Sequence, residues 1–252
     1  MAAAPRFGSA LVTGASSGLG RAIALELSRR GARVHALARR AEALEELARE
    51  AASAGAVVAR PCDVTVARAL TDAVRASEAD GPLDLVLAGA GVASSGLADL
   101  PVDERAARVL AVNLTAAVRT LELATPAMLE RGSGTLAAIT SLAGLRGLPA
   151  SAPYCASKAG LVRWLESRTL DLARSGVRVV DVHSGFVRTA ITDRNDFHMP
   201  FLLEPDDAAR RTVDGLERGR RIVRYPRRLA WPMVCASAAL PHFAWRALVG
   251  RA

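Results

Sequence analysis

Tyr154 and Lys158 stand four residues apart in the run Ser151-Ala-Pro-Tyr-Cys-Ala-Ser-Lys158. On a helix, positions i and i+4 share a face. The spacing therefore sets a phenol beside an ammonium, a proton donor with a cation that stabilises its deprotonated form. Lys158 is the only lysine of the chain, and the other 32 of the 33 basic residues are arginine. A planar guanidinium fork cannot replace a compact ammonium at a tight site, which gives a physical reason for the exception. Tyr154 is one of two tyrosines, the other being Tyr225. The same spacing also arises by chance on a solvated helix face, so its meaning rests on the elements around it.

Those elements alternate. The apolar strand Ser9–Thr13 runs into Gly14-Ala-Ser16-Ser17-Gly18-Leu19-Gly20 and then into a stretch with helical apolar spacing. Strand, glycine-rich turn and helix form a phosphate cradle, in which backbone amides at the helix N-terminus face an anion. A second strand, 33–38, precedes a helix over 41–54. It ends about where an acid for a ribose diol belongs, roughly 20 residues past the turn. Arg39 and Arg40 stand there instead. Two cations without a carboxylate favour a 2′-phosphate, hence NADP(H) over NAD(H); two surface arginines opening a helix are the alternative.

Strand 56–60 ends near Asp63 and Val64, with Asp63 placed either to accept from an adenine or to cap a turn. Strand 83–88 ends at Ala88 and leads into Gly89-Ala90-Gly91, where backbone can approach a ligand. A long helix over 101–125 carries Asn113, and strand 134–140 ends at Ser141. The Tyr154 helix extends to about residue 174. Strand 177–182 leads to Val187 and Thr189; a loop over 190–204, a helix over 205–219 and a last strand over 221–224 follow. Regular strand–helix alternation predicts a parallel sheet with right-handed crossovers. No repeat or linker divides the chain, so residues 1–252 are expected to form one domain, with 190–219 shaping a substrate pocket.

Composition sets bounds. The 252 residues, 51% apolar, suffice for a large core. The net charge is +8, and Arg218, Arg220, Arg221, Arg224, Arg227 and Arg228 form one basic run. No nucleic-acid-reading motif accompanies it, so no nucleic-acid partner is expected. Cys62, Cys155 and Cys235 lack metal spacing and leave one unpaired, which fits a reducing, cytoplasmic setting. His35, His183, His198 and His242 form no ligand pair, and no metal is expected. Residues 1–9 lack the apolar run of a signal peptide. The apolar tail, 229–252, is nearly long enough to span a bilayer over 229–249. Pro232, Pro241, His242 and Arg246 oppose a continuous span. Trp231 and Trp245, with the arginines before them, instead predict a surface for a partner or a membrane. A helix folded over the pocket or a neighbouring subunit is the alternative.

Taken together, Thr13-Gly14-xxx-Gly18-x-Gly20, Asp63, Asn113, Ser141 and Tyr154-xxx-Lys158 closely resemble the short-chain dehydrogenase/reductase family, over Thr13 to about Thr189. Arg39-Arg40-x-Glu42-x-Leu44 resembles its NADP-preferring branch. The resemblance implies a doubly wound Rossmann α/β fold: seven parallel strands in order 3-2-1-4-5-6-7, helices on both faces, and a homodimer or homotetramer packed through the helices of Asn113 and Tyr154. It implies NADP(H)-dependent interconversion of a carbonyl and a secondary alcohol. Tyr154 would exchange the proton, Lys158 hold the nicotinamide ribose, Ser141 bind the substrate oxygen and Asn113 hold a water linked to Lys158. Val187 and Thr189 would anchor the carboxamide. Two departures stand out. The family's Asn-Asn-Ala-Gly is Ala88-Gly89-Ala90-Gly91 here, which predicts weaker support for that loop, and its Pro-Gly is Ser184-Gly185, which predicts a looser turn. A non-catalytic NADP(H)-binding protein and a membrane-surface lipid-type carbonyl reductase are the competing readings.

Overall fold

Side chains alternate across every central strand, and the two sides build two separate cores. The computed structural model describes residues 7–52, 56–193 and 198–249. Residues 1–6, the end of the predicted 41–54 helix, part of the 190–204 loop and residues 250–252 of the tail lie outside it. The strands are β1 (Ser9–Thr13), β2 (Arg33–Ala38), β3 (Val57–Pro61), β4 (Leu85–Ala88), β5 (Gly134–Ile139), β6 (Val177–Ser184) and β7 (Ile222–Tyr225). They form one sheet in order β3-β2-β1-β4-β5-β6-β7, parallel throughout. The predicted doubly wound seven-stranded fold is the fold observed.

The helices are α1 (Gly18–Arg29), α2 (Ala41–Ala51), α3 (Ala67–Ala79), α4 (Val102–Leu110), α5 (Ala117–Arg131), α6 (Ala152–Asp171), α7 (Pro205–Glu217), α8 (Arg227–Ala239) and α9 (His242–Val249). Val12, Leu85, Leu87 and Val182 face one side of the sheet, against Ile23, Leu27, Leu44, Leu47 and Leu216 from α1, α2 and α7. Leu11, Val86, Leu136 and Val179 face the other, against Leu70, Leu121, Met128 and Leu161 from α3, α5 and α6. Strand period two and helix period 3.6 thus meet on both faces. The chain leaves β1 toward β2 on one side and returns to β4 on the other. The reversal opens a crevice at the carboxyl ends of β1 and β4, where such folds place ligands.

Three departures from the sequence reading matter for the site. The predicted 101–125 helix is longer and not uniform: α4 and α5 are joined by a π-helical turn, Ala111–Ala116, that holds Asn113. Such turns insert one extra residue and re-aim side chains. β6 continues two residues past its predicted end, to Ser184. In the tail, Pro241 separates α8 from α9 as expected, whereas Pro232 lies inside α8 without ending it. No helix among the described residues is long and apolar enough to cross a membrane.

His35 of β2 is buried, and its Nδ1 accepts from Arg60 Nε at 3.2 Å. Burial first, and Arg60 second, push its pKa from 6.5 down to about 4. The folded value lies below the unfolded one, so the unfolded chain takes up the proton first. This contribution to stability is complete above about pH 6.5 and is lost as the pH falls toward about 4, on the order of 3 kcal/mol in all. In urea unfolding at pH 7 and pH 4.5, His35→Leu should lose less stability on acidification than wild type. Equal losses would show that His35 does not govern the acid response.

Candidate active site

The glycine turn is shaped by contacts that admit no side chain. Gly14 has φ +74, and a Cβ there would lie 2.7 Å from the Ala90 Cα; a Cβ on Gly20 would lie 2.4 Å from the Gly14 carbonyl oxygen. The turn thus sits directly against the loop after β4. That loop is not slack despite its lack of amide side chains. Thr13 Oγ1 accepts from Gly89 N at 3.0 Å and from Ala90 N at 3.2 Å, tying the end of β1 to the end of β4. The second departure is compensated too. Ser184 Oγ donates to the Thr140 carbonyl at 3.2 Å, and Gly185 N to the Tyr225 carbonyl at 2.8 Å.

A cleft of about 320 Å³ runs along the carboxyl edge of the sheet. It brings together Gly14, Ser16, Ser17, Gly18, Leu19, Gly20, Arg39, Arg40, Asp63, Val64, Gly89, Ala90, Tyr154, Lys158, Val187 and Thr189. Ala88 is buried at the end of β4, just behind the lining. Arg40 spans to the glycine turn, with its guanidinium 3.1 Å from Ser16 Oγ and 3.2 Å from the Ser16 carbonyl. Arg39 beside it is exposed and makes no side-chain hydrogen bond or ion pair among the described residues. Asp63 accepts from the Thr65 amide and hydroxyl through Oδ1, and Arg108 reaches Oδ2 at 3.4 Å. The turn-capping alternative thus holds for one of its oxygens.

Tyr154 and Lys158 line the cleft, whereas Ser141 and Asn113 are buried and lie outside its lining. Ser141 opens the short turn after β5, with its Oγ accepting from Ala143 N at 3.1 Å. Its hydroxyl is the polar neighbour that acts on the Tyr154 phenol. Burial raises the Tyr154 pKa, and the neighbouring Ser141 hydroxyl offsets part of that rise. The Lys158 ammonium is 5.8 Å from the Tyr154 ring centroid and donates to the Ile139 carbonyl at 2.8 Å. It is only 4% exposed, and burial pushes its pKa down to about 8. Asn113 clamps the Val92 backbone, accepting from its N–H at 2.8 Å and donating to its carbonyl at 2.9 Å. Its amide also reaches Ser157 Oγ at 3.2 Å on the Tyr154 helix. The space between Asn113 and Lys158 is bounded by Gly91, where a Cβ would lie 3.5 Å from Asn113 Oδ1 and 3.8 Å from Lys158 Nζ.

Sequence reading missed several participants. Arg108 stands five residues before Asn113, and no local pattern marks it out among the 32 arginines. Thr192 is buried and closes the turn after Val187, donating to the Val187 carbonyl at 2.8 Å and accepting from Thr189 N at 2.8 Å. The tail was placed only in part. Arg146, five residues after Ser141, donates to the Ser237 and Leu240 carbonyls at the end of α8 and lies 5.5 Å from the Trp245 ring centroid. Trp245 Nε1 donates back to the Gly147 carbonyl at 2.8 Å. Trp245 is therefore buried against the loop that follows Ser141, while Trp231 remains 60% exposed. The two tryptophans do not share one surface role.

Crevice, glycine turn and switch point define a doubly wound protein of the dinucleotide-binding class. A model of the family described as short chain dehydrogenase matches residues 9–198. A protein of Myxococcus xanthus named an uncharacterized oxidoreductase is 46% identical over 226 residues, 89% of either chain. A short-chain dehydrogenase from Sphingobium yanoikuyae, solved with NADPH, matches with a TM-score of 0.80 at 26% identity, covering 97% of this chain and 96% of that one. A variant of actinorhodin polyketide ketoreductase, also solved with NADPH, matches with a TM-score of 0.75 at 31% identity, covering 88% and 96%. The chain belongs to the short-chain dehydrogenase/reductase family.

The Thr13 bridge is testable. Thr13→Val keeps the shape but leaves the Gly89 and Ala90 N–H groups without an acceptor, which should cost about 1–3 kcal/mol. Thr13→Ser keeps the oxygen and should stay within about 1 kcal/mol of wild type, the worth of one methyl. Denaturant unfolding distinguishes them, and equal losses in the two variants would show that the hydroxyl does not support the loop.

Proposed function

We propose that this chain is an NADP(H)-dependent oxidoreductase interconverting a carbonyl and a secondary alcohol, with Tyr154 as general acid and base. The carrying observation is the arrangement at the end of the cleft: Tyr154 and Lys158 both line it, the buried ammonium lies 5.8 Å from the phenol ring centroid, and Ser141 stands at the neighbouring strand end. Bound dihydronicotinamide supplies the hydride. In reduction, Tyr154 gives its proton to the carbonyl oxygen. The Ser141 hydroxyl bonds that oxygen as negative charge grows on it. Lys158 stabilises the phenolate left behind. In oxidation the proton returns to Tyr154.

The residues present fit a dinucleotide. Ser17, at the start of α1, makes no side-chain cap bond, and the first turn carries no acid. Its amides are left to an anion, which suits a pyrophosphate. Arg39, exposed just after β2 and without a side-chain partner among the described residues, suits a 2′-phosphate, with Arg40 holding the neighbouring turn. Val187 and Thr189, fixed by Thr192, suit the carboxamide. Val92, Leu97 and Ile191 line the same cleft, which favours a carbonyl on an apolar body. The Arg146 and Trp245 contacts support a tail folded against the loop that follows Ser141. Val102, Leu110, Leu129 and Leu170 are exposed on α4, α5 and α6, which supports association through those helices.

Tyr154→Phe should lower turnover roughly 10²–10⁴-fold while NADPH binding persists. Wild-type turnover by the variant, on a ketone the parent reduces, would remove Tyr154 from the reaction. Arg39→Ala should weaken NADPH roughly ten- to hundredfold and NADH little, the worth of a charge-assisted phosphate contact. Equal losses for both cofactors in a fluorescence titration would show that Arg39 does not read the 2′-phosphate.

A further inference from the structure

Behind the Tyr154–Lys158 pair lies a buried polar chain that the proposed reaction leaves without a role. It starts on β7, where Arg224 Nε donates to His183 Nδ1 at 3.1 Å. Across the ring, His183 Nε2 lies 2.6 Å from Asp181 Oδ2. The other carboxylate oxygen accepts from the Thr140 hydroxyl. Thr140 stands between Ile139, whose carbonyl takes the Lys158 ammonium, and Ser141. Asp181 and His183 are both buried and two apart on β6, so they face the same side of the sheet. In register Asp181 is opposite Ala138, which belongs to the core under α6.

The chain of contacts fixes its own protons. A guanidinium only donates, so His183 Nδ1 accepts, and the ring proton sits on Nε2 and is given to Asp181. With the Nε2 proton given to one oxygen and the Thr140 hydroxyl within hydrogen-bond distance of the other, both oxygens of Asp181 have a donor to accept from, which favours the carboxylate. β6 therefore carries a buried negative charge one peptide from the carbonyl that holds Lys158. Burial alone favours a neutral amine, and an opposite charge nearby restores the ammonium.

We propose that Asp181 is the buried counter-charge of Lys158, held in place by Thr140 and His183, and that it keeps the ammonium charged beside Tyr154. Its catalytic consequence rests on the role proposed for Lys158, but its presence can be read separately. Burial and Asp181 act on Lys158 in opposite directions, and burial is the larger. Also facing Lys158 are the Tyr154 phenol from its own helix and the neutral Asn113 amide from the π turn. From β6 and β7 come Asp181, then His183 and Arg224 behind it. Gly91 and Gly144 also border it, and neither carries a side chain.

Lys158 is the only lysine, so lysine labelled with ¹³C at Cε gives one side-chain resonance, and its titration reads this ammonium directly. In wild type it should titrate near pH 8. A midpoint below about 6, where lysines buried without a counter-charge fall, would overturn the proposal. Asp181→Asn removes the charge and keeps the bonds: its oxygen accepts from His183 and its amide donates to Thr140, whose hydroxyl turns to the Val182 carbonyl 3.2 Å away. The midpoint should fall by about one pH unit or more, and an unchanged midpoint would overturn the proposal. Asp181→Ser gives a second uncharged variant, and the wild-type titration depends on neither. With the carbonyl compound that wild type reduces fastest, Asp181→Asn should lose more turnover at pH 8 than at pH 6, because Lys158 is then neutral at the higher pH. A fallen midpoint with no such loss would support the counter-charge and count against the catalytic role of Lys158.

Discussion

Burying one ammonium at the end of β5 constrains everything around it. A charged group out of water needs hydrogen-bond acceptors or an opposite charge, or it gives up its proton. Lys158 takes the Ile139 carbonyl, an acceptor free only because the strand ends there. The hydrogen bond locks α6 to the sheet edge at one height and so fixes where the Tyr154 hydroxyl falls. Ser141, two residues past Ile139, is then within reach of that hydroxyl. Gly144 completes the fit, because a Cβ there would lie 3.0 Å from the Lys158 backbone. A larger residue would lift the Ser141 loop away from the helix.

The same height must be matched from the other side of the crevice, and Asn113 does that. Both ends of its amide are spent on Val92, which fixes the loop after β4, and its third contact reaches Ser157 on α6. A regular helix over 102–131 would present a different side chain at this depth; the π turn at Ala111–Ala116 supplies the offset. One irregular turn thus sets the spacing between two loops and a helix. Its cost in backbone regularity is offset by bonds that no regular turn would make.

The sheet order, the glycine turn and the Tyr154–Lys158 pair were legible because each is written locally. Strand period, glycine spacing and an i,i+4 pair all lie within a dozen residues. What stayed hidden depends on groups far apart in the chain. Thr13 meets Gly89 across 76 residues, and Arg146 meets Leu240 across 94. Asp181 and His183 look like polar interruptions in an apolar strand, and nothing in 177–184 alone says that Thr140 and Arg224 complete them. The layout of the basic run was hidden for the same reason. β7 occupies 222–225 of it, so Arg218, Arg220 and Arg221 lie before the strand at one edge of the sheet, and Arg227 and Arg228 after it at the other. Six neighbours in sequence form no single patch.

The two departures from the family pattern show where support can move without loss of form. An amide side chain on the β4 loop can hold the β1 end from one side; a hydroxyl on β1 can hold the loop from the other. Thr13 takes the second course, accepting two backbone N–H groups at once, which only an oxygen with two lone pairs and a short stem can do. Small residues at 88–91 then become a requirement, because a Cβ on Gly89 would lie 2.7 Å from the Thr13 carbonyl oxygen. The missing amides and the close approach are one solution. The Ser184-Gly185 turn follows the same logic: without a proline ring to stiffen it, Ser184 is tied to Thr140 and Gly185 to Tyr225, and a Cβ at Gly185 would lie 2.8 Å from Pro226 Cδ. Stiffness comes from neighbouring strands instead of the ring, which couples this turn to β5 and β7 and so to the segment that carries Ser141.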